Sequence, residues 1–166
     1  MKKILIIIFS LLVLSSSLYS YEIIINKTSK MESGKFNSTY LPLQRDDSKQ
    51  IVYDPSTKLQ WQDNYEAKSV TRDWKGAKRY CENLSLEGYN DWRLPKIEEL
   101  LTLTDKSRYN PSIKSGIKNI NSTDYWSATP SASDSSYAWS VDFEYGNSYN
   151  YNKSDKNYVR CVRAGQ

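Results

Sequence analysis

An α+β fold of two helices, mainly antiparallel strands and one disulfide is predicted by three observations. From Tyr137 to Phe143 apolar and polar residues alternate, the period of a half-buried strand. From Trp74 to Leu84 the apolar residues recur at three- and four-residue spacing, the period of one helix face. The only cysteines, Cys81 and Cys161, fall one on that helical stripe and one in a strand pattern.

Taken in order, the chain opens Met1-Lys2-Lys3, turns apolar from Ile4 to Leu14 and closes the stretch with small residues before Tyr21. A positive start, an apolar core and small residues read as a secretory signal peptide over residues 1–20, cut after Ser20 or Ser17. The apolar run is well short of the ~20 residues that span a bilayer, so no membrane span is expected after cleavage. No cysteine follows the core to carry a lipid. The expected location is the periplasm or the cell exterior.

Residues 21–50 begin Tyr-Glu-Ile-Ile-Ile and then become polar, an N-terminal strand and a lead-in. The domain proper is expected over residues 51–166. It opens with a hairpin, Ile51 to Tyr53 and Leu59 to Trp61 extended around the turn residues Asp54-Pro55-Ser56-Thr57. Asp73 is placed to cap a first helix whose stripe is Trp74, Ala77, Cys81 and Leu84. A second helix follows Trp92-Arg93-Leu94-Pro95, with Pro95 in its first turn, Glu98 and Glu99 at its positive end, and Ile97, Leu100, Leu101 and Thr104 on one face. Tyr109 to Ser136 reads as long loops interrupted by the phrase DYWSATP. The remainder reads as a three-strand meander with turns at Tyr145-Gly146-Asn147 and Lys153-Ser154-Asp155-Lys156. Periodicity marks Trp61, Trp74, Trp92 and Trp139 for the core.

Composition narrows the function. The formal charge of +4 includes Lys2 and Lys3, so the processed chain is not broadly basic and nucleic-acid binding gains no support. Histidine is absent, which removes the commonest general base and metal ligand. No catalytic residue, metal site or cofactor is expected. In an oxidising compartment the cysteine pair makes one disulfide most simply, closing a loop of about eighty residues. Two buried free thiols are the alternative.

The helix motif W-x-x-A-x-x-Y-C, the phrase GYNDWRLPKIEEL, then NPSI, YWSAT, AWSVDF and YVRCVR together resemble the bacterial Lcl C-terminal domain family, named for the terminal domain of a collagen-like adhesin. The likeness runs from about Ile51 to Arg163. It implies a C-type lectin-like fold, with a disulfide from the first helix to the last strand that Cys81 and Cys161 would supply. An Arg-Leu-Pro phrase is shared across that superfamily by proteins of different activity, so Trp92, Arg93, Leu94 and Pro95 are assigned to the fold. Arg93 is expected to be half-buried and satisfied by backbone carbonyls and by Asp91 or Glu98.

The calcium-lectin signatures E-P-N, Q-P-D and W-N-D are absent, and Asp124, Asp134, Asp142 and Glu144 read as scattered loop acids. The candidate ligand surface is the run of Tyr145, Tyr149, Tyr151 and Tyr158 interleaved with Lys153, Lys156 and Arg160. Of these, Tyr149, Tyr151, Lys153, Lys156 and Arg160 are the named candidates, since aromatic faces stack on sugars and cations draw sulfate or carboxylate. The tyrosines Tyr125 and Tyr137, which bracket a serine-rich loop, are also placed to face outward. The adhesin resemblance implies a non-enzymatic domain that binds a sulfated or anionic surface polysaccharide. A protein partner held by the Tyr109 to Ser136 loops, in an envelope structural or assembly component, is the alternative.

Overall fold

The computed structural model describes residues 41–165. The expected signal peptide at 1–20 and the strand-like start at 21–25 lie outside the described residues. The described chain is α+β, with two α-helices, antiparallel-rich sheets and one disulfide.

Strands β1 (Gln44–Asp46), β2 (Ile51–Asp54) and β3 (Leu59–Gln62) pair antiparallel, and β9 (Val162–Ala164) joins β3 to complete a four-stranded sheet. The β2–β3 turn forms where the Asp-Pro-Ser-Thr chemistry places it. Asp54 Oδ1 accepts the Ser56 N–H at 2.9 Å, and Lys58 takes a left-handed φ of 57° to re-enter the ladder. A five-stranded sheet runs β4 (Thr71–Arg72), β8 (Asn157–Tyr158), β5 (Asp124–Pro130), β6 (Tyr137–Asp142), β7 (Asn147–Asn152).

That order corrects two expectations. The chain after β7 does not continue a meander: β8 crosses to the far side of β5 and lies parallel to it, and β9 leaves for the other sheet. The phrase DYWSATP, which interrupts the long loops, is the central strand β5, and its first tyrosine does not face outward as expected. Tyr125 and Trp126, adjacent in sequence, are both fully buried, because Tyr125 faces a cluster with Val52, Trp61, Leu100, Phe143 and Val141 while Trp126 faces one with Ala77, Cys81, Leu94 and Val159. A strand buried on both faces shows no alternation to read. Tyr125 therefore belongs to the core rather than the surface. Trp61 and Trp92 are buried as expected, whereas Trp74 and Trp139 are only half-buried.

Helix α1 (Trp74–Glu82) starts at Asp73, whose Oδ1 accepts the Gly76 N–H at 2.6 Å, and it buries Ala77 and Cys81. Cys81 is bonded to Cys161 with Cα atoms 5.4 Å apart, fastening α1 to the residues that lead into β9. Helix α2 (Ile97–Leu101) is shorter than its pattern implied. Its entry is made by Glu99, whose carboxylate accepts the Lys96 N–H at 2.8 Å, so Pro95 precedes the helix instead of lying in its first turn. The Pro95 carbonyl takes the Ala128 N–H of β5 at 2.6 Å.

Arg93 is structural, with different partners from those expected. Its guanidinium grips Glu99 through two bonds of 2.7 and 2.6 Å, and its backbone exchanges two bonds of 2.9 Å with Val162 of β9. Asp91 instead serves Arg163 at 2.7 Å, and Glu98 is exposed. The reason is helical geometry: only the third residue of α2 can reach back over Lys96 and still meet Arg93. Burial tends to raise the Glu99 carboxyl, but the Arg93 bonds, the Lys96 N–H and the charges of both residues together outweigh it and hold the group below its usual range.

Asp63 and Arg160 form a fully buried ion pair at 3.0 Å. The Asp63 carboxylate also accepts the N–H groups of Lys118 and Asn119 at 2.9 and 3.0 Å and pairs with Arg45. Arg160 further donates to the carbonyls of Gln62 and Asn119. Burial, aided by the Arg45 charge and opposed by Tyr125, pushes the guanidinium down to about 10, still far above neutral pH.

Three substitutions test these contacts by their effect on stability. Asp63→Ala strands a buried cation and should cost about 3–5 kcal/mol in urea unfolding. Arg93→Ala, with a side chain 43% exposed, should cost about 1 kcal/mol or less; equal losses would contradict this ranking of the two pairs. Replacing both cysteines by alanine frees a loop with a sequence separation of 80 and should remove about 4–5 kcal/mol. An unchanged unfolding midpoint would show that the bond contributes nothing.

Candidate functional site

The expected ligand residues separate on folding. Tyr149 stands on β7 and is 45% exposed, and Lys156 is exposed in the turn after β7. Tyr151 shares the face of Tyr149 but is half-buried, its ring edge-on to Trp126 at 6.4 Å and its hydroxyl donating to Asp124 Oδ2 at 3.1 Å. Lys153 donates to the Ser135 carbonyl at 2.6 Å and lies 4.5 Å from the centre of the Trp74 ring. Arg160 is not a ligand residue at all. Its two terminal nitrogens are taken by Asp63, Gln62 and Asn119, and no part of it reaches solvent. Alternation near a tyrosine-rich strand made it look exposed, but the chain crosses between the two sheets at this point and turns the side chain inward.

Helix α1 supplies what the run around Arg160 lacks. Arg72, Gly76, Arg79, Tyr80, Asn83 and Ser85 line an open cleft of about 460 Å³ along its outer side. Arg72 and Arg79 are exposed. The Arg72 guanidinium lies 6.0 Å from the Tyr80 ring centre and uses one nitrogen on the Thr71 carbonyl, leaving further donors toward the cleft. Tyr80 is held from below by Gln62 Nε2 at 2.9 Å, and burial pushes its phenol up, so it stays neutral. A Cβ on Gly76 would stand 2.8 Å from Asp73 Oδ1 and 3.3 Å from Arg72 Cβ, so glycine lets Arg72 lie close against the helix.

The same helix carries a second cationic feature. Trp74 has the Lys78 ammonium 4.9 Å and the Lys153 ammonium 4.5 Å from its ring centre, while its indole N–H is spent on the Ser127 carbonyl at 2.8 Å. Lys153 is thus the one expected ligand residue that packs against α1, on a different side of the helix from the cleft. The stripe Arg72, Gly76, Arg79, Asn83 sits at spacings of four, three and four, so helical periodicity contains the signal. It escapes notice because charged residues on an outer helix face ordinarily mean only solvation.

A second cleft of about 610 Å³ is lined by Gln44, Asp46, Lys49, Tyr53, Gln60 and Tyr89 among others. Its charges are largely matched, Lys49 with Asp46 at 3.5 Å and Arg45 with Asp47, so it carries no net pull on an anion. Among the described residues, no group of three or more His, Cys, Asp or Glu side chains gathers to hold a metal ion. Asp134 and Asp142 instead accept N–H groups of Ser136 and Glu144 at 2.8 Å each, and Asp124 accepts from Tyr151 and Ser140.

Asp124 and Asp142 are directly paired across β5 and β6. Burial pushes the Asp124 carboxyl up; the Tyr151 and Ser140 bonds pull it back, the Asp142 charge adds to the rise, and the group ends above its ordinary range. A carboxyl that binds its proton more readily folded than unfolded loses stability as pH rises through the folded value. Asp124→Asn should therefore melt at an equal or higher temperature than the parent at pH 7, with the gap closing as pH falls into the carboxylate range. A deficit at pH 7 would show that the anion is needed by Tyr151 and Ser140.

No curated protein matches the sequence. A family model described as the Lcl C-terminal domain matches residues 50–163, the span that holds the hairpin, both helices, the disulfide and the β5–β9 strands. A match over that much of the chain places this protein in the Lcl C-terminal domain family.

Proposed function

We propose that this protein is an exported recognition domain, without enzymatic activity, that binds an anionic or sulfated surface glycan in the periplasm or outside the cell. Membership of the Lcl C-terminal domain family points to an adhesin-like or envelope component. A C-type lectin-like architecture fits the two helices, the antiparallel-rich sheets and the bond from α1 to the start of β9. Both thiols are committed to that bond, and the chain has no histidine to act as a general base.

The observation that carries the reading is the α1 cleft, where two exposed arginines flank a tyrosine ring beside Asn83 and Ser85. Guanidinium groups present forked donors to sulfate or carboxylate, the ring offers a face to a sugar, and the amide and hydroxyl match sugar hydroxyls. The Trp74, Lys78 and Lys153 group lies on a different side of α1, about 200° around the helix from Gly76, and is a separate aromatic and cationic surface.

A second reading, a protein-binding component of the envelope, is favoured by one feature. Tyr109 and Tyr145 are 62% and 52% exposed with ring centres 5.3 Å apart, an aromatic pair of the kind found at interfaces.

Titration with heparin, against unsulfated dextran as control, separates the two. Binding should weaken with added salt. Arg72→Ala and Arg79→Ala should each lower affinity by about tenfold without changing the melting temperature, since charge-assisted bonds are worth that order. Lys156→Ala should have a smaller effect. Heparin binding unaffected by both arginine changes would remove the cleft from the reading. Failure to bind any sulfated polymer, with a crosslinked protein partner lost in Tyr109→Ala, would establish the second reading instead.

A further inference from the structure

The four-stranded sheet turns Val52, Trp61 and Val162 toward the core cluster that holds Leu100 and Phe143. Paired residues share a face and successive residues alternate. The row Gln44, Tyr53, Gln60 and Arg163, in register across β1, β2, β3 and β9, therefore lies on the other face. On that face the second core cluster holds Ile51, with Tyr89 packed against it. Beside them opens the cleft of about 610 Å³, floored by Gln44, Tyr53 and Gln60.

The groups of this cleft are held in place without being used up. The Arg163 guanidinium, with the residue only 4% exposed, lies 3.7 Å from the centre of the Tyr89 ring, donates to Asp91 at 2.7 Å and donates to Gln60 Oε1. With its oxygen fixed there, the Gln60 amide keeps an NH2 group that has no partner among the described residues, and the Gln44 amide has none either. Tyr89 is set by a tight turn in which Glu87 and Gly88 take left-handed φ values of 55° and 76°, and its backbone exchanges two bonds with Leu86. Tyr53 lies against Gly165, where a Cβ would stand 2.5 Å from its ring. Both tyrosines line the cleft and stay partly exposed. The formal charges around them are met within the protein: Lys49 by Asp46 at 3.5 Å, Arg45 by Asp47 and Asp63, and Arg163 by Asp91.

We propose that this cleft is a saccharide site separate from the α1 cleft, and that its ligand is an uncharged oligosaccharide. Preset aromatic rings beside amide donors and acceptors suit a sugar, which offers C–H groups on one face and hydroxyls at its rim. A chain of sulfates or carboxylates finds no unpaired cation here. An apolar ligand would bury the Gln44 and Gln60 amides without partners, which costs free energy that a hydroxyl-bearing ligand does not.

The test titrates the full chain with neutral hexasaccharides of glucose, mannose and N-acetylglucosamine while the side-chain amide signals are followed by NMR. At least one of these sugars should move the Gln44 and Gln60 NH2 signals, with an affinity that added salt leaves unchanged. Tyr53→Ala should lower that affinity by about tenfold, and Gln44→Ala, at an exposed position, by about threefold. Tyr53→Phe keeps the ring and should keep most of the binding. Melting temperatures near the parent value establish that the variants fold. Arg72→Ala should leave this binding intact and Tyr53→Ala should leave heparin binding intact, so failure of one site is told apart from failure of the other. A parent whose Gln44 and Gln60 signals respond to none of these sugars overturns the proposal, as does binding that survives both Tyr53→Ala and Gln44→Ala or that weakens with salt.

Discussion

The buried Asp63–Arg160 pair is the constraint to which the rest of this structure is fitted. Taking two charges wholly out of water costs several kcal/mol each, and their attraction offsets that cost only when the remaining donors and lone pairs are also satisfied. Here the satisfaction comes from far apart in the chain: the carbonyls of Gln62 and Asn119, the N–H groups of Lys118 and Asn119, and Arg45 from β1. Arg160 lies between β8 and β9, where the chain passes from one sheet to the other. Sliding either sheet would break these bonds together, so the pair sets the register between the two sheets as well as joining them.

Around this node the other contacts divide the work. Gln62, next to Asp63, receives the Cys161 N–H at 3.1 Å and gives its amide to Tyr80 and Asn64, which ties the node to α1 and to the disulfide. Arg93 and Glu99 fix the start of α2 while the Arg93 backbone extends β9. The five-stranded sheet is then covered on both faces at its centre, by α2 and its following loop on the Tyr125 side and by α1 on the Trp126 side. The outer stripe of α1 and the cleft on the outer face of the four-stranded sheet are consequences of that arrangement. They are surfaces that the internal packing leaves free, and both have chemistry that packing does not require.

Much of this was legible in the sequence. The β2–β3 hairpin, the Asp73 cap, the Cys81 stripe and the disulfide all depend on neighbours within one turn or one strand, or on a pair of unique residues, and such signals survive without the fold. The candidate site was legible only in its components. Tyr149 and Lys156 are exposed as their polar neighbours imply, and Lys153 packs against α1, but nothing local says that Lys153 will lie over Trp74, nearly eighty positions away.

What the sequence by itself determined is the class of fold, the start of α1 at its Asp73 cap, the β2–β3 turn, and the covalent link. Only the tertiary structure decided the path of the chain after β7, the burial of β5 and the fate of Arg160. Alternation reports one wet face and one dry face, so it cannot register a strand that is dry on both, as β5 is around Tyr125 and Trp126. A cation near tyrosines looks the same in sequence whether it meets solvent or a buried carboxylate. The difference is made by Asp63, Gln62 and Asn119, which share no local pattern with Arg160 and come within hydrogen-bonding distance only when the two sheets have closed.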